Sequence, residues 1–396
     1  MPSLAKPFHV SVSQDELSDL KSRLARVRWP NEPSGNDSWN WGTNLGYMQR
    51  LITYWRDEFD WRKAEAELNR FSQFTVDLPT ETETHTIHFI HEKGSGKNPL
   101  PLILTHGWPS TYREFLDVIE PLAHPERFGG NAEDGMDIIV PSLLGFGFST
   151  KPKAPVGPAM IADLWHRLMH DVLGYQRYAA QAGDWGSYVT SRLALQHPEN
   201  LKAIHLTMLP LRPHLKHASQ PPISADEAVW IEKMKAWWAQ EEGYRSIQST
   251  KPMALAYGLM DSPVGLAGWL ADKYWRLGDT KKEHPWEGME SRFPMHIMCT
   301  QLSIYWFSGT INSANMLYKA GPAERSAALK PGERVTVPTA YADYPMDVLP
   351  PTPESWGKRS YNIVRWREMK AGGHFAAMEE PKLFADDVRD FFRTMR

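Results

Sequence analysis

The sequence predicts an α/β fold in which a mostly parallel central sheet is flanked by helices. Short apolar runs alternate with helical patterns from about residue 100, and this alternation stops between about 210 and 325. One strand-like run also ends in a glycine-flanked turn at Asp184. Strands that alternate with helices are typical of a parallel sheet covered on both faces. The interruption predicts a helical insertion into that core.

The first 95 residues lack this alternation and predict an N-terminal meander that wraps the core. Ser13 and Glu16 form a capping box, and leucines follow it at helical spacing. Two alternating segments, 74–78 and 84–90, predict a pair of strands.

The core is predicted to occupy 96–210 and 326–396, and an amphipathic helix at 382–394 closes it. A further core helix is predicted at 187–197. The predicted strands are 100–104, 137–140, 178–181, 201–206, 334–338 and 364–366.

Residues 211–325 are predicted to form a helical cap, because no strand pattern occurs between them. A second capping box, Ser224 with Glu227, starts the first cap helix. Further helices are predicted around 266–275 and 302–318.

The composition excludes several kinds of partner. The formal net charge is -3 with acids and bases mixed throughout, so we expect no nucleic-acid partner and no polybasic membrane contact. No apolar run reaches the ~18 residues that a membrane span needs. The single cysteine, Cys299, excludes an internal disulfide, and we expect a cytoplasmic protein.

The turn at Asp184 has the form small–x–nucleophile–x–small, from Ala182 to Gly186. This is the form of the α/β-hydrolase elbow, a sharp strand-to-helix turn that small residues permit. Its apex is an aspartate where a serine would be expected. A carboxylate can attack an sp³ carbon without first losing a proton, which leaves a covalent ester. The elbow therefore predicts epoxide opening or halide displacement.

The fold also orders the other catalytic candidates along the chain as nucleophile, acid and histidine. His374 follows the last predicted strand and two glycines, which is the position of the histidine. For the acid we favour Asp347, with Asp343 as the fallback and Glu354 further on. The acid would orient the imidazole that activates water against the ester.

Two backbone N–H groups are predicted to face the oxyanion of the tetrahedral intermediate. One belongs to Trp185, directly after the nucleophile, and the other to Trp108 in the loop after the strand at 100–104.

Five strings of this sequence carry a specific resemblance. They are His106-Gly107-Trp108-Pro109, Pro141-Ser142 with Gly145-Phe146-Gly147-Phe148-Ser149, Gly183-Asp184-Trp185-Gly186, Asp261-Ser262-Pro263-Val264-Gly265-Leu266 and Gly372-Gly373-His374-Phe375-Ala376-Ala377 leading to Glu379-Glu380-Pro381. With them the chain resembles the microsomal-type epoxide hydrolase family in its soluble fungal or bacterial form. The resemblance extends from the tryptophan-rich meander to the last helix. Departures are confined to Ala182 and Ser110, which are small residues where glycine is common.

The resemblance implies that Asp184 is the nucleophile, His374 the base and Asp347 the acid. It also implies two cap tyrosines that hold the epoxide oxygen, and by local context these are Tyr244 and Tyr318. A phenol suits this task, because it stays protonated at neutral pH and can donate to a developing alkoxide. The implied reaction converts an apolar epoxide to a vicinal diol without a cofactor or metal. The family also suggests a homodimer.

Two alternatives remain open. A haloalkane dehalogenase shares the aspartate and the tryptophan after it, and would bind halide through tryptophan or asparagine side chains, as Trp108 could. An α/β-hydrolase fold kept as a binding module would usually have lost the nucleophile or the base, whereas both positions are filled here.

Overall fold

The computed structural model describes residues 5–33, 38–280, 286–347 and 350–396. Its centre is a nine-stranded mixed sheet flanked by helices, which confirms the predicted fold class. In this described part, no helix is both long and apolar enough to cross a membrane.

The sheet has the strand order β1-β2-β3-β5-β4-β6-β7-β8-β9. The pairs β1–β2, β2–β3 and β3–β5 are antiparallel. The pairs β5–β4, β4–β6, β6–β7, β7–β8 and β8–β9 are parallel. The strands are β1 (Lys6–Phe8), β2 (Gln73–Pro79), β3 (Thr84–Glu92), β4 (Leu100–Thr105), β5 (Met136–Pro141), β6 (Tyr178–Ala182), β7 (Leu201–Leu206), β8 (Val335–Asp343) and β9 (Tyr361–Glu368).

Helices precede, connect and follow these strands. Before and within the core they are α1 (Gln14–Leu24), α2 (Leu45–Asp57), α3 (Trp61–Leu68), α4 (Leu116–Ala123), α5 (Pro158–Arg167) and α6 (Asp184–Gln196). Between β7 and β8 the described residues form seven helices that we name together the cap. They are α7 (Ala225–Glu241), α8 (Gly243–Thr250), α9 (Pro252–Asp261), α10 (Pro263–Leu277), α11 (Glu287–Arg292), α12 (Met295–Ser308) and α13 (Ile311–Glu324). The last three are α14 (Glu354–Ser360), α15 (Ala376–Glu379) and α16 (Pro381–Arg393).

Apolar side chains pack on both faces of the sheet in two clusters. On β4, Ile103 belongs to one cluster, whereas Leu102 and Leu104 belong to the other. Successive side chains of a strand point to opposite faces, so β4 is buried on both sides. This is why its sequence is a continuous apolar run and not an alternating one.

The sheet crosses the boundary predicted near residue 95. β3 pairs with β5 from Phe89 to Glu92, and β1 and β2 extend the same edge. Both predicted capping boxes are present in the structure, at the starts of α1 and α7. The division into meander, core and cap by residue number stays a prediction.

Three differences from the predicted limits bear on the candidate site or on the cap. The helix after the elbow begins at Asp184 and not at residue 187, so the nucleophile candidate is itself the first helical residue. The predicted helix at 302–318 is two helices, because Gly309 takes a left-handed conformation with φ 62°. β8 runs on to Asp343, which places this fallback acid at the end of a strand.

A buried ion pair joins the first cap helix to the core. The Arg359 guanidinium on α14 donates to both carboxylate oxygens of Glu227, at 2.8 and 2.6 Å. Both side chains are almost fully buried. The hydrogen bond from Arg359 lowers the pKa of Glu227 to about 2. A bidentate, desolvated pair of this kind fixes the start of α7 in orientation as well as in position.

Replacement of Arg359 by methionine should therefore lower the free energy of unfolding by about 3–5 kcal/mol, because a buried carboxylate is left uncompensated. Urea denaturation followed by circular dichroism measures the change. The matched control is Lys358→Met, whose exposed partner is Glu354 and whose cost should stay below about 1 kcal/mol. Equal costs for the two variants would contradict a structural role for the buried pair.

Candidate active site

The elbow after β6 holds Asp184 in a strained conformation. Its φ is 43°, in the left-handed region that non-glycine residues rarely occupy. The turn is possible because its neighbours have no side chain. A Cβ on Gly186 would lie 2.1 Å from the Thr105 carbonyl oxygen, and one on Gly183 would lie 2.7 Å from Thr207 Oγ1. The side chain is thereby lifted to the first turn of α6, where the helix dipole favours a negative charge.

The loop after β4 approaches the carboxylate from the other side. The Trp108 backbone N–H donates to Asp184 Oδ1 at 2.7 Å. A Cβ on Gly107 would lie 2.2 Å from the same oxygen, so only glycine permits this approach. For Trp185, the other predicted donor, the described residues include no hydrogen bond from its backbone N–H to this carboxylate.

His106 fixes the shape of this loop. Its Nε2 accepts from the Leu143 N–H at 3.1 Å, and its Nδ1 faces the Gly107 carbonyl at 3.0 Å. Burial lowers the pKa of His106 to about 4, so the ring is neutral, with its proton on Nδ1. The sequence contained a signal for this role, because His106 stands directly after a buried strand.

His374 lies between two carboxylates. Its Nδ1 is 2.7 Å from Asp347 Oδ1, and its Nε2 is 3.2 Å from Asp184 Oδ2, without the alignment of a hydrogen bond. Burial alone would lower the pKa of this imidazole. The charges of Asp347 and Asp184 outweigh burial, and the pKa of His374 lies well above its ordinary value.

Asp347 reaches the histidine because two loops are joined through their backbones. The Met346 N–H donates to the Gly372 carbonyl at 3.2 Å, and Met346 forms a bridge with Gly373. Asp343 instead accepts from the Tyr341 hydroxyl at 3.3 Å, and Glu354 pairs with a lysine on its own helix. The structure thus brings the favoured acid to His374 and keeps the other two apart from it.

Glu379 supports the histidine loop from behind, a role that had not been predicted from the sequence. Its two carboxylate oxygens accept the N–H groups of Phe375 and Asp279, at 2.8 and 2.6 Å. The His374 N–H also donates to the Leu277 carbonyl at 3.1 Å. The histidine loop is therefore tied to the end of α10. Burial raises the pKa of Glu379 to about 7.

Tyr244 and Tyr318 lie together over the nucleophile loop. Tyr244, on α8, stacks on the Trp108 ring with centroids 5.3 Å apart, and Tyr318, on α13, meets the edges of Trp108 and Trp185. Their own ring centroids are 5.8 Å apart. Burial raises the pKa of both phenols, and the charge of Asp184 raises both further. Both hydroxyls therefore remain donors at neutral pH.

These groups line one cavity of about 530 Å³, named here the reaction cavity. Asp184 and His374 lie on the core side, and the two tyrosines on the cap side. Much of the remaining wall is apolar, with Met208, Leu211, Trp230, Met234, Trp238 and Leu277. A larger cavity of about 730 Å³, between α1, α2 and the cap, contains none of the four polar groups. Within the described residues, no three His, Cys, Asp or Glu side chains are grouped to hold a metal ion.

Comparison with known proteins identifies the family of this chain. A family model described as the epoxide hydrolase N terminus matches residues 5–115, and one for the alpha/beta hydrolase fold matches residues 101–248. Epoxide hydrolase 1 of Oryctolagus cuniculus is 34% identical over 98% of this chain and 88% of that protein. The chain belongs to the epoxide hydrolase family.

Two solved structures of epoxide hydrolases are similar to this protein along nearly its whole chain. The juvenile hormone epoxide hydrolase of the silkworm Bombyx mori has a TM-score of 0.83 at 26% identity, covering 100% of this chain and 94% of that one. The Aspergillus niger epoxide hydrolase has a TM-score of 0.82 at 28% identity, covering 99% and 96%. The similarity therefore includes the N-terminal strands and the cap of this epoxide hydrolase.

The contacts of His374 predict which carboxylate sets its protonation. Asp347→Asn should lower the pKa of His374, because it removes the largest of the interactions that favour the imidazolium. Titration of the histidine ¹⁵N signals by NMR measures this shift. Asp343→Asn is the control and should leave the pKa of His374 unchanged. A shift in the Asp343 variant alone would transfer the acid role to the fallback residue.

Proposed function

We propose that the protein converts an apolar epoxide to a vicinal diol through a covalent ester on Asp184, with His374 and Asp347 activating the water that hydrolyses the ester. The observation that carries this proposal is the opposition of groups across the reaction cavity. A carboxylate and an imidazole face two protonated phenols across one apolar space. To open an epoxide, a nucleophile must attack a ring carbon from one side while an acid donates to the ring oxygen from the other side, and this arrangement allows both.

In the first step, Asp184 Oδ2 attacks a ring carbon and the carbon–oxygen bond of the epoxide breaks. Oδ1 is already engaged by the Trp108 N–H, which leaves Oδ2 as the attacking atom. The alkoxide that forms accepts hydrogen bonds from Tyr244 and Tyr318 and takes a proton from one of them. The phenolate left behind is reprotonated through solvent by the proton that His374 releases once the charge of Asp184 is lost. The raised pKa values of both phenols keep them as donors up to the moment of ring opening.

In the second step, His374 removes a proton from water, which attacks the ester carbonyl carbon. In the free protein the carboxylate of Asp184 helps to hold the proton on His374. Ester formation abolishes that charge, so the pKa of His374 falls at the stage where a base is needed. The Trp108 N–H then stabilises the oxyanion on Oδ1, a contribution of about 10²–10³ in rate. When this intermediate collapses, the bond between the carboxyl carbon and Oδ2 breaks, and Oδ2 leaves with the diol after taking the proton from His374.

Halide displacement, the alternative reaction, is less well supported. It would need side-chain N–H groups that are free to bind halide. The Trp108 indole N–H donates instead to Asn315 Oδ1, at 3.1 Å in a buried contact. The tyrosine pair would also have no task in that reaction, since halide leaves without a proton.

Single-turnover hydrolysis of styrene oxide in H₂¹⁸O, with enzyme in excess, tests the covalent route. We expect the first diol to contain only ¹⁶O and the peptide with Asp184 to gain ¹⁸O. In His374→Gln the same peptide should instead retain the mass of one substrate, because the ester forms and is not hydrolysed. Asp184→Asn is the control and should form no adduct. Direct incorporation of ¹⁸O into the first diol would mean that water attacks the epoxide itself.

The tyrosine pair makes a separate prediction for ring opening. Tyr244→Phe with Tyr318→Phe should slow ester formation by about 10²–10⁴, the usual contribution of general-acid help. Rapid-quench measurement of epoxide consumption separates this step from hydrolysis of the ester. Tyr257→Phe, an exposed cap tyrosine, is the control and should retain the wild-type rate. Full activity of the double variant, or turnover of a 1-haloalkane in place of the epoxide, would speak against the proposal.

A further inference from the structure

A second, smaller cavity opens beside the reaction cavity. It has a volume of about 260 Å³ and lies between α6, α8 and the segment that follows α13. Three arginines line it, Arg212, Arg245 and Arg325. No carboxylate is among the residues of its wall. We name this space the arginine annex.

The three guanidinium groups have no acidic partner. Within the described parts of the chain, no carboxylate oxygen lies within 4.0 Å of any of them, although the protein has a formal net charge of -3. Glu324, next to Arg325 in sequence, does not pair with it. Its Oε2 accepts from the Ala159 N–H at 2.9 Å and from the hydroxyl of Ser326, a residue of the annex wall, at 3.2 Å. Three unpaired cations around one concave space favour binding of an anion.

The side chain of Arg245 and the backbones of Arg212 and Arg325 are held by contacts that leave the guanidinium donors available. The Arg245 guanidinium lies over the Trp238 ring, 4.7 Å from its centroid, and a stacked guanidinium still presents its N–H groups at its edge. The loop that carries Arg325 is held by Arg192, which donates to the carbonyls of residues 325, 326 and 328. Arg212 is tied through its backbone N–H to the Ala327 carbonyl at 2.7 Å.

The annex and the reaction cavity share part of their walls. Trp185, Tyr188, Arg212 and Arg245 line both. Tyr188 lies one helical turn after Asp184 on α6, so both side chains are on the same face of that helix. Burial raises the pKa of Tyr188, and the charges of Arg245 and Arg212 oppose this rise, as expected for cations that face its hydroxyl. The two cavities therefore adjoin, with these four side chains between them.

We propose that Arg212, Arg245 and Arg325 bind the carboxylate of an amphiphilic epoxide whose apolar chain and oxirane ring occupy the reaction cavity. This inference rests on the proposed function and names its substrate class. Arginine is suited to the task, because its planar fork donates two parallel hydrogen bonds to a carboxylate. A carboxylate on the substrate is the form of anion that two adjoining cavities favour, because it links the oxirane ring and the charged group in one molecule.

The test compares ω-epoxyundecanoate with its methyl ester, which differ in the charge of the head group. The wild type should show a kcat/KM for the carboxylate at least about tenfold higher than for the ester, the effect of one charge-assisted contact. Arg212→Gln, Arg245→Gln and Arg325→Gln should each reduce this ratio several-fold, mainly through KM, and the triple variant should bring it near one. Lys319→Gln, which removes an exposed cation from α13, is the matched control and should keep the wild-type ratio. A wild type that hydrolyses acid and ester equally well, or a triple variant that keeps the preference, would overturn the proposal.

Two further measurements distinguish failure of the proposed anion site from failure of the proposed epoxide hydrolysis. Undecanoate, which has no oxirane ring, should quench the tryptophan fluorescence of the wild type and not that of the triple variant. If undecanoate binds in this way while no epoxide is hydrolysed, the proposed function fails and the anion site stands. Inorganic phosphate should not accelerate hydrolysis of the methyl ester. If it does so in the wild type and not in the triple variant, the annex takes a free anion and the substrate assignment is wrong.

Discussion

The close approach of the loop after β4 to the Asp184 carboxylate is the constraint on which the rest of the site depends. Three features are needed for a 2.7 Å contact between the Trp108 N–H and Asp184 Oδ1. Gly107 must have no side chain, Gly186 must lie against the Thr105 carbonyl, and Asp184 must keep a positive φ. A strained residue of this kind costs on the order of 1–3 kcal/mol, and the paired strands β4 and β6 must hold it there. The sheet thus makes this hydrogen bond possible, because β4 positions the loop of the Trp108 donor and β6 positions the Asp184 acceptor.

The charges of the site form one coupled system around this contact. Two carboxylates flank His374, and together they favour its protonated form despite its burial. A negative charge on Asp184 is compatible with both the helix start and the neighbouring imidazolium. Any chemistry that neutralises Asp184 changes the proton affinity of His374 in the same event. Nucleophile and base are therefore linked by electrostatics and not only by their order along the chain.

The sequence allowed the strands, the elbow and the residues around His374 to be predicted, because each depends on local patterns. The apolar run of β4 and the glycines beside Asp184 are constraints within a few residues. The break between α12 and α13 at Gly309 was not predicted, because the packing of α13 decides whether this glycine continues a helix or ends it. Glu379 and Asn315 were missed for a related reason. Their partners are about 100 and 207 residues away, and no local spacing encodes such contacts.

The tie between His374 and α10 bears on the position of the imidazole. The His374 N–H is held by the Leu277 carbonyl, and Glu379 joins the histidine loop to the residue beyond α10. An upward swing of α10 would break both connections and withdraw the imidazole from Asp184. The histidine loop and the end of α10 are therefore one mechanical unit, and the geometry of the base depends on a helix far from it in sequence.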